Sequence, residues 1–150
     1  MKTAIEFRHI RKSYGNTVIV PDLNLKIDKG EFVTIIGSSG CGKTTALKMI
    51  NGLIPPTSGD ILVNGENIRN KDMIALRRGI GYAIQGSVLF PNMTVEQNIS
   101  YVPSLLNKKD KERTAKAVDK WMQIIGLDPS MKERYPSELS GGQQQRVGIA

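Results

Sequence analysis

Residues Gly37-Ser38-Ser39-Gly40-Cys41-Gly42-Lys43-Thr44 place glycines, one lysine and one hydroxyl at the spacing G-x-x-x-x-G-K-[ST]. Each residue type answers a chemical need of phosphate binding. Glycines let successive backbone N–H groups curl around phosphate oxygens with no Cβ in the way. A helix beginning near Lys43 adds the positive end of its dipole. The Lys43 ammonium reaches the β- and γ-phosphates, and at ~4 Å with an effective dielectric of 20 one such charge pair is worth roughly 4 kcal/mol before desolvation. The Thr44 hydroxyl is placed to ligate Mg²⁺, and Thr45 follows it in the same helical turn. The flanks supply the required context: the apolar run "FVTIIG" (32–37) reads as a strand buried on both faces, and Ala46, Leu47, Ile50 and Leu53 recur at helical spacing. The octet reads as a nucleotide-phosphate site. Cys41, inside the loop, reads as a small residue filling a tight turn rather than as an activated thiol.

A second anion site lies a hundred residues on, in Leu139-Ser140-Gly141-Gly142-Gln143. Ser140 is a helix N-cap, and Gly141 and Gly142 expose amides at a helix start, a site for negative charge without a lysine.

The elements that must position these residues follow from periodicity. Residues 3–10 and 23–27 read as strands, 59–68 as a hairpin turning at Asn64-Gly65, and 80–85 as a further strand. A short helix falls near 71–78. Thr94 and Gln97 form a capping-box pattern, and 110–125 is an amphipathic helix with Ala115, Val118, Met122 and Ile125 on one stripe. Trp121 and the methionines at 49, 93 and 122 read as core. The organisation is a strand-rich, phosphate-loop lobe over 1–85, a helical lobe over 86–138, and the Ser-Gly-Gly turn with the start of its helix over 139–150.

Composition narrows the class. The chain has 150 residues, 39% of them hydrophobic and 23% charged, which fits a soluble globular protein with a real core. No apolar run approaches a membrane span, and the N-terminal stretch lacks a signal peptide's apolar centre, so the expected location is cytoplasmic. One cysteine agrees with a reducing compartment, and one histidine, His9, rules out a His-cluster metal site. The net charge of +7 invites a nucleic-acid reading, but the basic residues are scattered, and in "NKKDKERTAK" (107–116) acids are interleaved, as on a solvated helix face.

Taken together, the phosphate loop and "LSGGQ" resemble the ATPase subunit of an ABC transporter, over nearly all of residues 3–150 and in the family's order and spacing. The resemblance implies an α/β P-loop NTPase (ABC ATPase) core with an N-terminal antiparallel β subdomain and a helical subdomain, and with the C-terminal half of the domain absent. It implies ATP and Mg²⁺ as cofactors. Tyr14 matches the aromatic that stacks on adenine. Gln85 matches the glutamine that contacts Mg²⁺ and the attacking water. Ser140, Gly141, Gly142 and Gln143 match the turn that reaches the γ-phosphate on a partner's loop, which implies a head-to-tail dimer.

The family's Mg²⁺-binding Asp, catalytic Glu and switch His are expected after the signature helix and do not occur in this sequence. The chain is therefore expected to be a fragment, inactive in hydrolysis by itself. "LRRGIGYAIQGSVLFPNMTVEQNISYVPSLL" and "ALKMINGLIPPTSGDILVNGENI" resemble the ATPases of bacterial importers for glycine betaine, choline or carnitine. That likeness implies transmembrane permease partners, a position on the inner face of the cell membrane, and no nucleic acid. A soluble ABC ATPase acting on nucleic acid, or a natural non-hydrolytic nucleotide-binding partner, are the alternative readings.

Overall fold

The computed structural model describes residues 2–84, 86, 89–106 and 110–150, with Leu106 described in its backbone only. The chain divides into two compact units, Met1–Gly81 and Tyr82–Ala150.

The first unit is built on a four-stranded antiparallel sheet: β1 (Thr3–Tyr14), β2 (Thr17–Asp28), β3 (Ser58–Val63) and β4 (Glu66–Asn67), in the order β2-β1-β3-β4. The strand foreseen at 3–10 thus runs on to Tyr14, and that at 23–27 begins as early as Thr17, where the β-branched run Thr17-Val18-Ile19-Val20 favours extended backbone. Asn64 and Gly65, both at positive φ (56° and 83°), close the β3–β4 hairpin as their dipeptide predicts. β1 is bulged where its pairing shifts between Phe7 and Ile10. There His9 takes φ 48°, and its N–H donates to Asn24 Oδ1 at 2.8 Å. Phe7, Ile10, Ile61 and Val63 from the sheet pack on Met49 and Ile50 of α1 (Lys43–Ile50), on Leu76 of α2 (Met73–Arg78) and on Ile68. Asp72 caps α2, accepting from the Ile74 N–H at 2.9 Å.

The second unit is helical: α3 (Val95–Leu106), α4 (Lys111–Ile124) and α5 (Gly141–Ile149). Val95, Ile99, Val118, Met122, Leu127, Leu139 and Val147 form its core. The capping box at α3 forms as expected, with the Thr94 N–H donating to Gln97 Oε1 at 2.9 Å and the Gln97 N–H to Thr94 Oγ1 at 3.3 Å.

Five expectations fail. Residues 32–37 form no strand: the segment has no ladder partner among the described residues, and Phe32 is 96% and Ile36 89% exposed. A strand of the all-apolar kind is defined by neighbours on both edges and layers on both faces, and no described residue supplies them. The described part of 80–85 is likewise irregular. Trp121 is not core: at 38% exposure it lies outside the buried face of α4, which Val118 and Met122 supply. On the same helix, Ala115 of the foreseen stripe is exposed. Leu47 and Leu53 are also half exposed, and Ala46, Met49 and Ile50 carry the buried face of α1.

Candidate nucleotide-phosphate site

The segment 37–44 folds as a loop that closes on its own lysine. Lys43 Nζ donates to the carbonyls of Gly37 (2.8 Å) and Ser38 (2.7 Å) and lies 3.5 Å from Cys41 Sγ. An ammonium surrounded by main-chain oxygens draws the ring of the loop around a single positive charge, where a phosphate oxygen would compete with the carbonyls for its protons. Gly40 and Gly42 take φ 84° and 97°, conformations that side-chain-bearing residues rarely adopt. A Cβ built on Gly37 would lie 2.6 Å from Cys41 Sγ, so a side chain there would require the thiol to rotate away. Cys41 is therefore the small, exposed residue that turns over the loop's first glycine.

Helix α1 starts at Lys43 with Gly42 as its N-cap and no side chain capping it, which leaves its first amides to an external acceptor. Thr44 is exposed in its first turn, and Thr45 beside it is half-buried. The geometry fits a polyanion: backbone donors, one flexible ammonium and a helix start, with no carboxylate paired to Lys43 among the described residues.

The β1–β2 hairpin carries both Tyr14 and the strand on which the loop rests. Tyr14 pairs with Thr17 at its tip. A few residues along β2, Val20 Cγ2 and Ile19 Cγ2 come within 3.0 and 3.4 Å of where a Cβ on Gly42 would sit. The glycine before Lys43 thus seats the loop on the strand leading away from the aromatic. Tyr14 is 51% exposed, with Lys12 Nζ 4.7 Å from its ring centroid. This lysine was missed in the sequence; the signal was its i, i+2 spacing to Tyr14, which puts both side chains on one face of β1.

A metal was foreseen at Thr44 and Gln85. Gln85 lies outside the described residues. Among the described residues no group of three or more His, Cys, Asp or Glu is arranged to hold an ion. Thr44 offers one hard oxygen, which suits Mg²⁺ held chiefly by phosphate oxygens and water rather than by a protein cage.

The signature turn lies in the helical unit. The Ser140 N–H donates to Gln143 Oε1 at 2.8 Å and the Gln143 N–H to Ser140 Oγ at 3.3 Å, a reciprocal capping box at the start of α5. Here both side chains serve the helix: Gln143 is occupied as the box's second member, and its Nε2 faces Met131 Sδ at 3.8 Å. Gly141 and Gly142 are exposed, with nothing within 4 Å of a built Cβ, and they are the first two residues of α5, whose amides have no partner within the helix. Replacing Ser140 by Ala removes the cap and is expected to cost about 1 kcal/mol, read as faster amide exchange at Gln143 and a lowered melting temperature.

A glycine loop closed on a lysine at an uncapped helix start is the layout of a phosphate loop. Residues 20–150 match the ABC transporter family, and the chain belongs to it. It is 49% identical over 146 residues to the choline transport ATP-binding protein OpuBA of Bacillus subtilis, covering 97% of this chain and 38% of that protein. To the osmoprotectant import ATP-binding protein OsmV of Salmonella typhimurium it is 52% identical over 131 residues, 87% of this chain and 34% of the relative. The chain thus spans under two fifths of the length of these relatives. Among solved structures it superposes with a TM-score of 0.84 and 30% identity on a dimeric ATP-binding cassette in a post-hydrolysis state bound to ADP and Pi, covering 97% of this chain and 67% of that one. The fold is that of the ABC ATPase cassette.

Proposed function

We propose that this chain is the phosphate-loop and signature portion of an ATPase subunit that powers import of a quaternary-amine osmoprotectant. The observation that carries the reading is the loop over 37–44 drawn around Lys43 at the uncapped start of α1. In this account the ATP phosphates replace the Gly37 and Ser38 carbonyls as acceptors of the Lys43 ammonium. The loop amides over Ser38–Gly42 and the first turn of α1 with Thr44 and Thr45 take the remaining phosphate oxygens. Tyr14 stacks on the base. Mg²⁺, when bound, would be held by the Thr44 hydroxyl and by Gln85 and would supply neutralisation of phosphate charge. Of the residues of this chain, Lys43 and Gln85 are the ones assigned to the reacting end.

The signature turn supplies the other half of a site. Two exposed glycine amides at a helix start suit a γ-phosphate held on a second subunit, so the proposed unit is a head-to-tail dimer, joined to transmembrane permease subunits at the inner face of the cell membrane. Identities of 49% and 52% to choline and osmoprotectant importers support the solute class. The proposed site assigns no role to nucleic acid.

The test is Gly142→Asp. A side chain at this position meets nothing within 4 Å, so folding is expected to be unaffected. A carboxylate against an incoming phosphate should abolish ATP-dependent dimerisation in light scattering, while ATP binding to the single subunit is retained. Undiminished dimerisation would refute the assignment of this turn.

A further inference from the structure

Among the described residues three polar side chains are buried: Lys12, Asn51 and Thr94. Two have evident local work. Thr94 caps α3, and Asn51 Oδ1 accepts from the Leu53 N–H at 3.2 Å. Lys12 is different. It is 8% exposed, and among the described residues no carboxylate lies within ion-pair distance of it. Burying an unpaired ammonium is costly, and an aliphatic side chain would fill the same space without that cost. Two contacts compensate: Nζ donates to the Pro55 carbonyl at 2.8 Å and stands 4.7 Å from the centroid of the Tyr14 ring.

From this geometry we infer that Lys12 is a positioning residue for nucleotide: it fixes the Tyr14 ring as a platform and thereby sets how strongly the site takes an aromatic base. The inference rests on the proposed base-stacking role of Tyr14. Lys12 and Tyr14 alternate along β1 and share one face of it. The ammonium covers part of the ring, and half of the tyrosine stays open to solvent. A flat purine laid on the open side completes a stack of cation, phenol and base. The cation draws π density from the phenol, which favours an electron-rich partner on the other side.

The carbonyl partner matters as much as the ring. Pro55 lies five residues past the end of α1, the helix that begins at Lys43. The same segment is pinned to β1 by the Thr57 N–H donating to the Arg11 carbonyl at 2.8 Å and by Thr57 Oγ1 accepting from the Ser13 N–H at 3.0 Å. Lys12 therefore ties the aromatic to the chain leaving the phosphate-loop helix, so that base platform and phosphate cradle hold one spacing.

The test compares ATP with inorganic tripolyphosphate, which has the phosphates and no base, by calorimetry on the unaltered chain and on Tyr14→Ala, Lys12→Met and Lys12→Arg. Lys12→Met keeps the stem and removes the charge. It should weaken ATP roughly three- to tenfold and leave tripolyphosphate unchanged, with Lys12→Arg recovering most of the loss. If Tyr14→Ala weakens ATP selectively and Lys12→Met weakens neither ligand, or both equally, the role of Lys12 is refuted while the stacking reading stands. If Tyr14→Ala leaves ATP untouched, the stacking reading falls and this inference with it. Should Lys12→Met fail to fold, proton NMR of the unaltered chain decides: the Lys12 ε-methylene protons should be ring-shifted upfield, revert in Tyr14→Leu, and move on adding ATP but not tripolyphosphate. Unshifted ε-protons would overturn the inference.

Discussion

Lys43→Ala is expected to lower ATP affinity by on the order of a hundredfold or more, the largest functional effect of any single change in this chain. The reasoning is electrostatic. One ammonium facing β- and γ-phosphates contributes roughly 4 kcal/mol before desolvation, and a two-order loss of affinity corresponds to about 2.7 kcal/mol. The remainder is the cost of stripping water and of breaking the two carbonyl contacts that Lys43 makes to Gly37 and Ser38. Because those contacts are exposed, their loss should leave the melting temperature of the nucleotide-free chain nearly unchanged. The check is a calorimetric titration of both proteins beside a thermal melt. Loss of binding with an intact melt assigns the effect to the site; retained binding would remove Lys43 from it.

Gly59→Ala should have the largest effect on stability. Gly59 holds φ 87° at the start of β3, and a Cβ there would collide with the carbonyls of Arg8 and His9, the bulged stretch of β1. Both partners are backbone, so neither can swing aside. Left-handed strain and overpacking together should cost about 3 kcal/mol or more, a fall in Tm of roughly 10 °C. Gly65→Ala is the control. Gly65 also has positive φ (83°) but meets nothing within 4 Å, so only the conformational part should remain, about 1 kcal/mol. Equal losses in the two variants would show that the close approach of β3 to the β1 bulge is not what Gly59 provides.

The features legible in the sequence were those set by local chemistry. The loop over 37–44, the Ser140 and Thr94 caps, the Asn64-Gly65 hairpin and the buried stripe at Val118 and Met122 all depend on residues a few positions apart. The same holds for Asp72, whose side chain caps a helix within the span foreseen for it. What could not be read were the features that need distant partners. "FVTIIG" has the composition of a central strand, but a strand exists only in a ladder, and here Phe32 and Ile36 stand exposed. Trp121 was assigned to the core by type, whereas helical phase puts it beside the buried stripe. Nothing local singles out Lys12; the carbonyl that receives its ammonium belongs to Pro55, forty-three positions away in sequence.

Cys41 reports directly on where ATP sits. It is exposed, it is the only cysteine in the sequence, and its Sγ lies 3.5 Å from Lys43 Nζ within the loop. The measurement is the rate of maleimide addition to Cys41 with and without MgATP, followed by mass spectrometry. Saturating ATP and tripolyphosphate should both slow the reaction strongly, AMP only weakly, and the alkylated chain should no longer bind ATP. An alkylation rate unchanged by saturating ATP would contradict binding at the loop over 37–44, because a triphosphate bound anywhere else leaves that thiol uncovered.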